Sequence, residues 1–120
     1  MPSSTMSEFP MQLGSQLATT TTCYACPGMV GRIKRIVVGI PAVATNATVR
    51  VYKGSTALTA ALSLATGLTA GTAAEMTLTA TGHTLDIAAT DILSAVWTVT
   101  DAGGTFVGGD CVVWIMPATD

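Results

Sequence analysis

Thr84–Met116 reads TLDIAATDILSAVWTVTDAGGTFVGGDCVVWIM. Ile92–Thr100 alternates: Leu93, Ala95, Trp97 and Val99 share one side, and Ile92, Ser94, Val96 and Thr98 share the other. That is the period of a strand. Cys111–Met116 sets Val113 and Ile115 opposite Val112, Trp114 and Met116. Between these runs stand Asp101-Ala102-Gly103-Gly104 and Gly108-Gly109-Asp110, residues that make turns. Thr84–Ile87 forms a shorter strand with Leu85 and Ile87 to one side, and Ala88–Asp91 turns the chain. No crossover helix fits in so little chain, so the strands are antiparallel. Trp97 and Trp114 lie on the two strongest strands and are expected to be core residues or a subunit contact.

The same grammar extends upstream. Gly31–Ile40, GRIKRIVVGI, is β-branched and stops at Pro41. Simple alternation puts Ile36, Val38 and Ile40 on one face and Ile33 and Val37 on the other. Ala47–Lys53 alternates cleanly, Val49 and Val51 against Arg50 and Tyr52. Glu75–Thr81 offers Met76, Leu78 and Ala80 to one side, and Gly82-His83 turns the chain. Thr56–Leu68 fits two periods. Leu58, Ala61, Leu62 and Ala65 suit a short helix; Leu58, Ala60, Leu62, Leu64 and Leu68 suit alternation, which the neighbouring strands favour. Seven or eight short strands separated by turns predict an all-β fold, an antiparallel β-sandwich (jelly-roll-like) or a small barrel, of which the sandwich is the reading adopted.

Residues 1–30 differ. They are polar, with two prolines before Pro27, and sustain neither period. The expected organisation is an extended N-terminal arm over 1–30 and a sandwich over 31–120. Phe9, Met11, Leu13 and Leu17 are the arm's apolar handles, poorly used in water and suited to docking on a partner.

Composition narrows the function classes. Of 120 residues, 49% are hydrophobic and only 10% charged, with net charge −2. Disorder pairs low hydrophobicity with high charge, so a folded domain is expected. A weakly charged surface favours assembly over life as a free monomer. Nucleic-acid binding wants a basic footprint that this chain lacks. Arg32, Lys34 and Arg35 form one small basic group, suited to an ion pair, a phosphate contact or a solvated strand edge. Gly54–Ala74 is uncharged over 21 residues, but three Gly, five Thr and two Ser make it a poor membrane span. Met1–Pro10 has neither the basic start nor the apolar core of a signal peptide. The chain is expected to be soluble, with no nucleic-acid or membrane partner.

Chemistry-bearing residues are sparse. Cys23-Tyr24-Ala25-Cys26 is a CxxC, but Pro27-Gly28 follows it where a redox motif would open a helix. Cys23, Cys26, Cys111 and His83 number four, the count of a zinc site, without a second paired motif. Reduced cysteines or a Cys23–Cys26 disulfide fit as well. His83 is the only imidazole, and it would serve a nucleophile only if the fold brought Cys111 to it. Asp86, Asp91, Asp101 and Asp110 all stand at strand ends or turns, where Asp caps backbone N–H groups. Tyr24, Tyr52 and His83 are too scattered in sequence to define a sugar-binding face. The expectation is a chain that is not an enzyme, with no catalytic residues, cofactor or metal.

The run TLDIAATDILSAVWTVTDAGGT, with the Val/Trp strand that ends in Pro117, resembles small tailed-bacteriophage virion proteins of the capsid decoration (cement) or head-fibre type. GRIKRIVVGIPA and VRVYKG look similar too, so the likeness covers Gly31–Pro117. It implies a non-enzymatic sandwich, usually a homotrimer, made in the host cytoplasm and bound to the outer capsid surface at three-fold or quasi-three-fold positions. There it would bridge major capsid protein subunits, and the 1–30 arm would clamp the shell or neighbouring copies. The CxxC departs from that group. The competing expectations are a receptor- or glycan-binding module of a fibre or cell surface, and a small enzyme using the cysteines with His83.

Overall fold

The computed structural model describes residues 6–12, 14, 19–42, 46–66, 69–100 and 107–118. Among these described residues ten strands make two antiparallel sheets. The strands are β1 (Ser7–Pro10), β2 (Thr19–Ala25), β3 (Gly31–Gly39), β4 (Ala47–Lys53), β5 (Thr56–Ala57), β6 (Leu62–Ser63), β7 (Ala74–Met76), β8 (Asp86–Ile87), β9 (Leu93–Val99) and β10 (Asp110–Pro117). A turn of 3-10 helix spans Gly82–Leu85.

The first sheet runs β1-β10-β3, and β7 and β8 share the far edge of β3. The second runs β2-β9-β4, and β5 and β6 share the far edge of β4. The pairs β1–β10, β2–β9, β3–β8 and β4–β5 nest one inside the next. A long antiparallel ribbon wound so that its successive pairs fall alternately in two sheets is a jelly roll. Among the described residues β4 and β5 are the one consecutive pair of strands that hydrogen-bond, so the described fold rests on contacts between distant parts of the chain.

Burial follows the alternation. β9 turns Leu93, Ala95, Trp97 and Val99 inward, and β10 turns Cys111, Val113 and Ile115 inward, all at 2% exposure or less. Val49 and Val51 of β4 meet them from the same sheet as β9. Leu58 and Leu64, beside the short edge strands β5 and β6, are also buried. Thr56–Leu68 is therefore edge strand and irregular chain over its described residues, because the leucines need the inner faces and β4 needs edge partners. Residues 67–68 lie outside the described set, as do 101–106 of the β9–β10 connection.

Three expectations change. First, the N-terminal segment is not a free arm in its described parts. β1 pairs with β10 and β2 with β9, each at a sheet edge. Phe9 packs against the core, and Met11 is 1% exposed with its N–H donating to the Cys111 carbonyl at 2.7 Å. Both are used inside their own chain. Alternation through Glu8, Phe9, Pro10 and Met11 was present in the sequence. It was masked by Pro10, which an edge strand tolerates because its missing N–H need face no partner. The Thr19–Thr22 run is strand because Thr favours a pleated surface. Leu13 and Leu17 lie outside the described residues.

Second, Ile33 lies in the core and not beside Val37 on the outer face. The β10–β3 register slips between Trp114 and Ile115: Trp114 faces Arg35, but Ile115 faces Ile33. Lys34 is the extra residue of a β-bulge. The bulge resets the phase, so Ile33 and Ile36 point the same way at 1% and 0% exposure. Gly31 completes that end of β3. A Cβ there would come within 2.6 Å of the Met116 carbonyl oxygen, so only glycine allows the two strands to close.

Third, the two tryptophans part company. Trp97 is fully buried. Trp114 is half-buried on the outer face of the first sheet, so it is not a core residue of its own chain.

Candidate partner-binding face

The outer face of the first sheet is built by β10 flanked by β1 and β3. Cys111, Val113 and Ile115 fill the core, so alternation sends Val112, Trp114 and Met116 outward. Register lines up their neighbours. Val112 stands between Pro10 and Val37, with Glu75 beyond; Trp114 stands between Glu8 and Arg35; Met116 faces Arg32, with Asp86 beyond. The middle of the face is apolar and its rims are charged. The Arg35 guanidinium lies over the Trp114 ring, 5.0 Å from its centroid. A cation–π contact at an exposed site is worth about 0.5–1 kcal/mol, enough to hold both side chains in place.

The bulge supplies the basic rim. A regular strand would turn every second side chain inward and bury part of the Arg32-Ile33-Lys34-Arg35 run. With Lys34 as the extra residue, Arg32, Lys34 and Arg35 are all exposed. Arg32 is anchored: its Nη2 donates to the Gly82 carbonyl at 2.6 Å, and its Nε lies 3.5 Å from Asp86 Oδ1. Asp86 Oδ2 meets His83 Nδ1 at 2.9 Å, and the Lys53 ammonium donates to the Asp86 carbonyl at 2.9 Å. The His83 hydrogen bond, helped by the charges of Arg32, His83 and Lys53, holds the Asp86 carboxyl below its ordinary range. Its contribution to stability is therefore present above the usual carboxylate range and lost as the pH falls through its lowered value.

The outer face of the second sheet is polar. Its ranks are Thr20–Thr98–Thr48–Ser63, then Thr22–Val96–Arg50, then Tyr24–Ser94–Tyr52–Ala57. Tyr24 is 67% exposed. Arg50 lies 5.6 Å over the Tyr52 ring and donates through Nε to the Thr59 carbonyl. The two tyrosines, far apart in sequence, share one rank with β9 between them, about 10 Å apart at ordinary strand spacing.

Comparison with protein-family models, curated proteins and solved structures finds no match.

The cysteines and His83 do not assemble. Cys111 is fully buried between the sheets, whereas the His83 side chain is fully exposed on its turn. Cys23 is partly buried, with its thiol donating to the Gln12 carbonyl, and Cys26 is exposed; all three thiols are free. Among the described residues no three His, Cys, Asp or Glu side chains are grouped to hold a metal ion.

Burial, reinforced by the nearby Asp110 and Cys23, pushes the Cys111 thiol up to about 12 from an ordinary 9.0. Only the thiolate is nucleophilic, so Cys111 is inert in the folded protein at neutral pH. In a thiol–disulfide assay Cys26 is expected to react first, Cys23 more slowly and Cys111 only after denaturation. The same shift has a pH signature. Above pH 9 the unfolded chain releases a proton that the folded chain keeps, so stability falls as pH rises. The slope from this thiol is at most about 1.4 kcal/mol per pH unit. Urea titrations at pH 8 to 10.5 should give a steeper loss for the natural chain than for Cys111→Ala. Equal slopes would mean that the thiol is not buried as described.

Proposed function

We propose that this chain is a structural protein of a virion exterior. In this reading it is a decoration subunit that binds the outer surface of a phage capsid as a homotrimer and stabilises the shell by bridging major capsid protein subunits. The observation that carries the reading is the outward rank of Val37, Val112, Trp114 and Met116 inside a rim of Glu8, Glu75, Arg32 and Arg35. An apolar centre with a polar rim, rich in Trp, Met and Arg, is the anatomy of a protein interface. The resemblance over Gly31–Pro117 supplies the class of partner. A jelly roll is compatible with it, although fold by itself does not assign function.

The physical logic is linkage. A protein that binds the assembled lattice and not its separated parts shifts the balance toward the lattice. Three linked copies of a modest contact reinforce one another through effective concentration. Since Met11 is spent in the core and Phe9 packs against it, the grip moves from the first thirty residues to the Trp114 face.

The test combines light scattering with co-sedimentation on capsids stripped of this protein. The expected results are a trimer mass and saturable capsid binding. Trp114→Ala should keep its melting temperature within a few degrees and lose at least ten-fold in capsid affinity, as central interface tryptophans do. A monomer that ignores capsids would sink the proposal.

One observation favours a second reading. Tyr24 and Tyr52 on a Thr-rich face would suit stacking against sugar rings, as in a glycan-binding module of a fibre. A glycan array answers this: binding abolished by Tyr24→Ala would transfer the function to the second sheet.

A further inference from the structure

At one end of the Trp114 face lies an open cavity of about 530 Å³, with Gly31 and Ala118 among its lining residues. Its size falls within the ordinary range of ligand pockets. Apolar surface comes from Val30, Met116 and Pro117, over the buried Ile87. Its charged side chains are Arg32, Lys34 and Asp86, a net charge of +1.

These charges are not equivalent. Asp86 is already engaged by Arg32 and His83, and Arg32 spends donors on Asp86 and the Gly82 carbonyl. Lys34 makes no hydrogen bond or ion pair among the described residues. It is also the bulge residue, the position at which a sheet re-aims a side chain. Beside it the strand pairing of β3 is interrupted, with the Gly82–Leu85 turn packed nearby. On the side of β3 away from β10, β8 pairs with Gly31 and Arg32 and β7 with Ile36–Val38. Ile33, Lys34 and Arg35 have no strand partner there among the described residues. Backbone groups at such a gap can pair with an extended segment of another chain.

We propose that this cavity receives a carboxylate side chain carried on an extended, otherwise apolar segment of the partner protein. Lys34 is its counter-ion, Arg32 adds charge from its anchored position, and Val30, Met116 and Pro117 cover the apolar neighbours. A monoanion matches the net +1 lining, whereas a phosphate dianion would set a second negative charge against Asp86. The inference rests on the reading of the Trp114 face as the partner-binding surface, since Met116 belongs to both.

The test is an amide-shift NMR titration of the whole chain with acetyl-Leu-Leu-Glu-amide, acetyl-Leu-Leu-Gln-amide and butyrate. The Glu peptide is expected to move the Gly31, Lys34, Ile87 and Ala118 signals with a millimolar Kd. It should bind at least five-fold more tightly than the Gln peptide and more tightly than butyrate, and Lys34→Ala should remove the Glu-over-Gln preference. Equal binding of the two peptides, no shift at these four amides, or butyrate binding as well as the peptide would each overturn the proposal. Capsid binding that survives a failed titration would discard the carboxylate pocket and leave the Trp114 face standing. A successful titration without capsid binding would do the reverse.

Discussion

Trp97→Ala is expected to destabilise the protein by about 4 kcal/mol, the range for a large aromatic truncated in a core. Trp97 is the largest fully buried side chain of the sandwich. The neighbouring inward ranks on its own sheet are Ala47 with Val99 and Val51 with Ala95, side chains too small to collapse into the space. From the other side the ring presses on Gly109, where a Cβ would come within 3.0 Å of the ring carbons. The indole therefore fills a volume that the rest of the fold has been shaped around. For a domain of this size the loss corresponds to a fall in Tm on the order of 15 °C. Trp114→Ala should cost less than about 1 kcal/mol, because its ring is only half-buried and gives up one exposed cation contact. Urea unfolding of both variants with unchanged m-values checks the contrast. Similar losses at the two positions would mean that the two rings are not placed as described.

Ile33→Ala is expected to cost about 3 kcal/mol, while Val37→Ala costs less than about 1. Simple alternation along GRIKRIVVGI would put these two side chains on the same outer face and give them similar values. The bulge at Lys34 separates them: Ile33 is 1% exposed and packs with Ile36 and Val38, whereas Val37 looks outward next to Val112. The pair of variants reads the phase of the strand on either side of the bulge. Comparable losses would place the register slip elsewhere. Because Lys34 carries no buried contact, Lys34→Ala should leave stability within about 0.5 kcal/mol, the range for a surface substitution away from special features. Its effect on the carboxylate titration can then be read without a change in folding.

Local pattern made much of this legible. Val49 and Val51 against Arg50 and Tyr52 read correctly because a strand with one polar and one apolar face announces its orientation. Leu93 to Val99 read correctly because Ser94 and Thr98 mark the outer side. The antiparallel sandwich followed from short strands with no room for crossover helices. The N-terminal strands were less legible. Ser7–Pro10 has only four residues and ends in proline, and it gains meaning only from β10, about a hundred residues away in the chain. The candidate site was legible as ingredients and not as an arrangement. Arg32, Lys34, Arg35, Trp114 and Met116 stand out by type, but they become one face only when β3 pairs with β10.

The Thr84–Met116 stretch shows where the division falls. By itself the sequence determined that Leu93–Val99 and Cys111–Met116 are strand, because alternation and Gly/Asp punctuation act between neighbours in the chain; Thr84 and Leu85, expected as strand, belong instead to the 3-10 turn. It did not determine which side of Cys111–Met116 is buried. Val113 and Ile115 on one side and Val112, Trp114 and Met116 on the other are equally apolar, so hydrophobicity alone cannot break the tie. Tertiary structure breaks it by pairing β10 between β1 and β3 over the Trp97 core, with a bulge that absorbs one residue. The narrow space between the sheets takes Cys111, Val113 and Ile115, already holding one large indole ring. Trp114 is left outside with Arg35, where a partner can reach it.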